Sequence, residues 1–294
     1  MNAIDISDNS QYVSAGFSDS SVRVWDLKKN EDSYTSFIGH SGPVFSTSFS
    51  PDKKYLLSAS EDTTVRLWSL ETKSNLVCYR GHNFPVWDVQ FSPIGYYFAT
   101  CSNDRTARIW STDKTSPLRV MAGHLSDVDC VKFHPNCNYI ATGSNDKTVR
   151  LWEINSGECV RIFTSGHFGS IHALAFSTDG KILASAGEDN KIILWDIASS
   201  KKIKVLSGHT KTIWSLQFSK ESTLLASGSS DYTVRLWDIN AAKSNDQQPN
   251  INQNQSIELI KTFHTKKTNV YHVSFTNKNL LLAGGCFNSS TNDN

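Results

Sequence analysis

Six of the chain's eight tryptophans stand at positions 25, 68, 110, 152, 195 and 237, spaced by 43, 42, 42, 43 and 42 residues. No other feature restricts the fold so tightly, because self-similarity at a fixed period of this length means one supersecondary unit built repeatedly. The frame around each tryptophan repeats too. Gly-His pairs stand at 39–40, 81–82, 123–124, 166–167 and 208–209, and an aspartate follows each histidine by 22 residues. A serine or threonine precedes each aspartate by four residues, and the tryptophan follows it by six. Five tetrads result: His40, Ser58, Asp62 and Trp68; His82, Thr100, Asp104 and Trp110; His124, Thr142, Asp146 and Trp152; His167, Ser185, Asp189 and Trp195; His209, Ser227, Asp231 and Trp237.

Between these landmarks the pattern is that of strands. "YLLSAS", "YFATCS", "YIATGS", "ILASAG" and "LLASGS" are short apolar runs closed by small residues, and "TVRLW", "TARIW" and "KIILW" alternate with period two. Asp-centred turns ("EDT", "NDR", "NDK", "EDN", "SDY") and hairpins such as "SPDKK" and "STDGK" separate them. With a last strand such as "LVCYR" or "CVRIF", each unit holds four antiparallel strands, and no amphipathic helix of useful length intervenes. The Gly-His openings, Asp turns and closing Trp-Asp pairs resemble the WD40 repeat. Ser69, Ser111 and Glu153 replace the closing aspartate in three units.

The resemblance implies an all-β, seven-bladed WD40 β-propeller with the last blade incomplete in this chain. One propeller spans 1–286, with blades near 2–38, 43–80, 85–122, 127–165, 170–207 and 212–263 and a partial blade at 269–286. The first blade has Asp19 and Trp25 but no Gly-His, and Ala15 where the others carry a hydroxyl. The strand that closes such a ring is expected upstream of Met1. Residues 241–256, "AAKSNDQQPNINQNQS", read as a disordered Asn/Gln-rich loop between the third and fourth strands of the sixth blade, and 287–294 as a disordered tail.

Composition narrows the chemistry. The 29 Lys+Arg residues balance 28 Asp+Glu and form no run, which disfavours a charge-driven surface for nucleic acid or membrane. No apolar stretch approaches the roughly 18–20 residues of a membrane span, and the N-terminus lacks the regions of a signal peptide. Six cysteines without a CxxC pair read as reduced thiols in a cytosolic or nuclear protein. Cys130, His134 and Cys137 offer three zinc-ligand types but no fourth nearby. No metal or other cofactor is expected.

His82, Thr100 and Asp104 have the residue types of a hydrolase triad. A catalytic triad occurs once, in a cleft, whereas this set occurs five times in register. In the WD40 family these side chains form a buried hydrogen-bonded chain, so the tetrads read as architecture and the chain as no enzyme. Function is then sought where the blades differ. Five residues after each histidine stand Phe45, Trp87, Asp129, His172 and Trp214, with Tyr271 at the matching point of the last blade. In WD40 proteins this position lies near the rim of the face carrying the Gly-His loops, which makes the six a candidate partner-binding top face rich in hot-spot residue types. Packing of these rings between blades is the alternative. Glu61, Asn103, Asn145, Glu188 and Ser230 should share the face and suit a basic or peptidic partner.

The run "RGHNFPVWDVQFSPIGYYFATCSNDRTARIW" through "INSGECVRIFTSGH", with the ending "TKKTNVYHVSFTNKNLLLAGG", is more particular than a generic repeat. It resembles the C-terminal propeller of the fifth-TBP-associated-factor family, core subunits of the general transcription factor TFIID. That resemblance implies a nuclear platform that assembles the TFIID core with other subunits, especially histone-fold TBP-associated factors, and supports RNA polymerase II preinitiation-complex formation. A relative serves SAGA-type histone acetyltransferase complexes. It also implies a helical dimerisation region and a LisH motif upstream, neither within this sequence. No sequence-specific nucleic-acid contact and no membrane contact is implied. Two rival readings are an independent histone-tail reader using an aromatic cage and a ubiquitin-ligase substrate adaptor, although no F-box or cullin-adaptor motif is visible.

Overall fold

The computed structural model describes residues 1–7, 10–29, 33–243, 258–276 and 279–286. The chain divides into two compact units, Met1–Gly166 and His167–Asn294. Both consist of antiparallel meanders in which each strand pairs with its neighbour in sequence.

The first unit holds four four-stranded sheets. The first comprises β1 (Ala3–Ile6), β2 (Tyr12–Gly16), β3 (Val22–Asp26) and β4 (Tyr34–Phe37); the second, β5 (Val44–Phe49), β6 (Tyr55–Ser60), β7 (Thr64–Ser69) and β8 (Ser74–Arg80). The third comprises β9 (Val86–Phe91), β10 (Tyr97–Ser102), β11 (Thr106–Ser111) and β12 (Arg119–Ala122); the fourth, β13 (Val128–Phe133), β14 (Tyr139–Ser144), β15 (Val149–Glu153) and β16 (Cys159–Phe163). The second unit holds two more four-stranded sheets, β17 (Ile171–Phe176) to β20 (Lys202–Ser207) through β18 (Ile182–Gly187) and β19 (Lys191–Asp196), and β21 (Ile213–Phe218), β22 (Leu224–Ser229), β23 (Thr233–Asp238) and β24 (Leu259–His264). A two-stranded sheet follows, β25 (Val270–Phe275) with β26 (Leu281–Gly285).

Burial explains the strand sequences. β6, β10, β14, β18 and β22 are covered on both faces, so they read as continuous apolar-and-small runs rather than alternations. Within each unit the core lies between successive sheets. Leu57, Ala59, Val65 and Tyr79 of the second sheet pack on Val89, Phe91, Phe98 and Trp110 of the third. The Trp110 ring stacks on Phe98 at 6.0 Å and is 1% exposed. Burying one such indole contributes at most about 4–6 kcal/mol by area.

The turns explain the recurrent aspartates. The residue after each one has a left-handed backbone: φ is 68° at Ser20, 68° at Thr63, 65° at Arg105, 67° at Lys147, 61° at Asn190 and 66° at Tyr232. That conformation is unfavourable for a side chain. The aspartate offsets it by accepting the N–H two residues on, as Thr64 N–H donates to Asp62 at 3.0 Å and Thr106 N–H to Asp104 at 3.0 Å.

Side chains also join the first strands of successive sheets. Phe49 N–H donates to Asp5 at 2.9 Å, Phe91 N–H to Ser48 at 3.0 Å, Val131 N–H to Asp88 at 3.1 Å and Phe133 N–H to Gln90 at 2.8 Å. In the second unit Val273 N–H donates to Ser215 at 3.0 Å and Phe275 N–H to Gln217 at 2.9 Å.

One boundary differs from the sequence reading. Residues 241–243, assigned to the loop 241–256, complete a one-turn helix, α1 (Ile239–Lys243). Asp238 caps it through the N–H groups of Asn240 and Ala241, and Ile239 and Ala242 are buried against the core of their unit. The rest of that loop, and the tail at 287–294, lie outside the described residues.

Candidate functional site

The strand register brings each tetrad together. In the third sheet Trp110 N–H donates to Thr100 Oγ1 at 2.9 Å, His82 Nε2 lies 2.7 Å from the same oxygen, and His82 Nδ1 lies 2.7 Å from Asp104. The other four repeat this closely, with Trp-to-hydroxyl distances of 2.8, 2.8, 2.8 and 2.9 Å around Ser58, Thr142, Ser185 and Ser227. All four of those histidines sit 2.7 Å from the hydroxyl and 2.8 Å from the carboxylate.

Donor bookkeeping fixes the protons. The hydroxyl accepts the indole N–H and so gives its own proton to Nε2, which leaves Nδ1–H to donate to the carboxylate. Burial alone would raise the Asp104 pKa, but hydrogen bonds from His82 and Thr106 outweigh it and hold the carboxyl at about 2. Asp62, Asp146, Asp189 and Asp231 are likewise held below the usual range against their burial. Burial pulls the His82 and His209 pKa values down, against their aspartates. Thr100, Ser58, Thr142, Ser185 and Ser227 are all 0% exposed, so no substrate atom can reach those oxygens.

The first sheet lacks this chain. Ala15 brings no hydroxyl, Trp25 packs between Phe17 and Tyr34, and Asp19 turns to Ser21 and Arg23.

Phe45, Trp87, Asp129, His172, Trp214 and Tyr271 share a feature that sequence periodicity does not expose. Each is the extra residue of a bulge in its sheet's first strand, skipped between the paired positions on either side. A bulge re-aims its side chain out of the pleat. In the first unit Phe45 and Trp87 meet with ring centroids 4.8 Å apart, and the buried Trp87 N–H has no acceptor among the described residues. Asp129 is half-buried. In the second unit His172 stacks on Trp214 at 4.8 Å, Trp214 meets Tyr271 at 6.2 Å, and Trp214 N–H donates to Ser230 at 2.7 Å. Rings of adjacent sheets therefore do pack on one another. Trp214 still keeps 37% of its surface exposed, and Glu188 stands 3.9 Å from His172.

The arginine two residues before the tryptophan was legible as a repeat but its role was not. In four sheets Arg66, Arg108, Arg150 and Arg235 lie with the tryptophan edge where a side chain on Gly39, Gly81, Gly123 or Gly208 would stand. The glycine of these four Gly-His pairs leaves that space. At Cys130, His134 and Cys137 nothing converges: Cys130 is buried in β13, and the His134 ring bonds Asn136. Among the described residues no group of three His, Cys, Asp or Glu side chains could hold a metal.

Six sequential four-stranded meanders, five of them pinned by a buried Trp–hydroxyl–His–Asp chain and projecting one bulge residue, define a repeat-built β scaffold. The chain belongs to the WD40 family: the profile for the WD domain, G-beta repeat, matches residues 1–26, 31–69, 73–111, 115–153, 157–196 and 200–238. Among curated proteins it is similar to "Transcription initiation factor TFIID subunit 5" of Arabidopsis thaliana, 50% identical across 27% of this chain and 15% of that protein. The "SAGA complex/transcription factor TFIID complex subunit Taf5" of Schizosaccharomyces pombe is 45% identical across 27% of this chain and 14% of its own length. The Drosophila melanogaster TFIID subunit 5 is 44% identical across 26% and 15%. The matched part of this chain thus covers only about a seventh of these relatives.

Proposed function

We propose that this chain is a non-enzymatic interaction scaffold of the TFIID core in the nucleus, supporting preinitiation-complex assembly and transcription initiation by RNA polymerase II. The observation that carries the reading is the 44–50% identity to relatives named as TFIID subunit 5. Its partners are other TFIID subunits, foremost the histone-fold ones, and the fission-yeast relative's name supports a SAGA-type complex as a second home. The bulge residues Phe45, Trp87 and Asp129 of one unit, and His172, Trp214 and Tyr271 of the other, are the proposed docking positions, with exposed Trp214 the strongest anchor. The two-stranded sheet is read as the first half of a seventh blade. Ser215 and Gln217 serve β25 as Asp88 and Gln90 serve β13, which supports that count.

Affinity purification of the full-length protein from its source tests the proposal. Co-purification of TBP and histone-fold subunits, weakened by Trp214→Ala, is the expected result. A set of cytoplasmic partners, or a ubiquitin-ligase core, overturns it.

A further inference from the structure

The chain contains three Ser-Pro pairs, at 50–51, 92–93 and 116–117. The structure separates them. Ser50 is 3% exposed, its hydroxyl donating to Asp52 at 2.6 Å, and Ser92 is 1% exposed. Both open the hairpin after a first strand, where their backbones are paired to Tyr55 and Tyr97. Ser116 is exposed, at the tip of the connection between β11 and β12.

That connection is tied only at its base. Thr112 N–H donates to Tyr96 O at 3.2 Å, Lys114 N–H to Ser111 O at 3.3 Å and Leu118 N–H to Ile109 O at 2.7 Å. No hydrogen bond to the Thr115 or Ser116 N–H, or to the Ser116 hydroxyl, is present among the described residues. The tip can therefore straighten into another protein's cleft without breaking a bond of the sheet. Basic groups flank it, with exposed Lys114 two residues before Ser116 and exposed Arg119 three residues after. Arg119 is held in place, its guanidinium donating to Asn155 O at 2.9 Å and Leu118 O at 2.8 Å. Pro117 has no N–H, so the position after the serine requires no acceptor from an enzyme that engages it.

We propose that Ser116 is a phosphorylation site for a proline-directed protein kinase. Ser116 Oγ attacks the γ-phosphorus of Mg-ATP and its proton passes to the kinase's catalytic carboxylate. The bond from that phosphorus to the bridging oxygen breaks and ADP leaves. The new phosphate stands in sequence between Lys114 and Arg119, with Asp113 also in the loop, and adds a dianion to a connection whose base is bonded to Tyr96 of the neighbouring hairpin. The inference is independent of the complex to which the chain belongs.

The test incubates the purified full-length protein with Mg-ATP and a cyclin-dependent kinase, and maps phosphopeptides by mass spectrometry. One phosphoryl group at Ser116 is expected, lost in Ser116→Ala and Pro117→Ala and slowed in Arg119→Ala, with circular dichroism unchanged in all three. Ser50 and Ser92 should be labelled only after the protein is unfolded in urea and diluted into the assay as peptides. Absence of label at Ser116 overturns the proposal, as does equal labelling of Ser50 or Ser92 in the folded protein.

Discussion

Replacing Thr100 with valine keeps the shape of the side chain and removes one oxygen. That oxygen accepts the Trp110 N–H at 2.9 Å and lies 2.7 Å from His82 Nε2, and it is wholly buried. Valine orphans both an N–H donor and a ring-nitrogen acceptor where water cannot replace it. At about 1–3 kcal/mol for each orphaned group, Thr100→Val should cost about 2–6 kcal/mol, a large share of the roughly 5–15 kcal/mol that holds a domain folded. Thr100→Ser retains the oxygen, as Ser58, Ser185 and Ser227 do in their own sheets, and should cost only the lost methyl, about 1 kcal/mol. Urea titration followed by tryptophan fluorescence measures both, as a fall in midpoint at unchanged slope. Thr115→Val, on an exposed loop, is the control. If Thr100→Val falls within about 0.5 kcal/mol of the parent, the size of an ordinary surface change, the tetrad is not a stabilising frame and the reasoning fails.

Further outcomes follow from the same geometry. The tetrad aspartates have folded pKa values below their unfolded ones, so their contribution is complete above about pH 4 and is lost as pH falls towards about 2. His82 and His209 act in the same direction from about pH 6.5 downward, because the unfolded chain takes up the proton first; stability measured by urea midpoint should fall monotonically through both windows. Burial holds the His172 pKa below the ordinary imidazole value, so quenching of Trp214 by the stacked imidazolium should begin only below about pH 6.5 and vanish in His172→Gln. Gly187→Ala should fail to yield folded protein, because the new methyl falls on the Ser170 carbonyl, whereas Ser144→Ala at the matching place in the fourth sheet should fold. Asp88→Asn exchanges an acceptor for an NH2 group that faces either Ser46 or the Val131 N–H, and should cost about 1–3 kcal/mol by the same titration.

Period and strand pattern were enough to place the sheets, because a half-buried strand and an Asp turn each leave a local mark. The five tetrads were legible for the same reason, since repetition in register separates a structural hydroxyl from a nucleophile. The bulges at Phe45, Trp87, Asp129, His172, Trp214 and Tyr271 were not. A skipped residue is decided by how two strands meet, and the hydrophobic pattern on either side of it is unbroken. The packing of Arg108 into the space above Gly81 was hidden likewise, because the two residues are adjacent only once the sheet has formed. Helix α1 escaped because one turn of "INAAK" inside a polar run carries too little periodicity to register.

The side chains that accept a backbone amide between first strands all stand on the same side. Asp5, Ser48, Asp88, Gln90, Ser215 and Gln217 belong to the earlier sheet, and the amide each receives belongs to the later one. For these first-strand bonds, removing the earlier sheet strands amide protons on its successor, while removing the later one frees side-chain oxygens that water can serve. At these junctions dependence runs in the direction of synthesis, and the second, third and fourth meanders and the last hairpin emerge with those acceptors already in place.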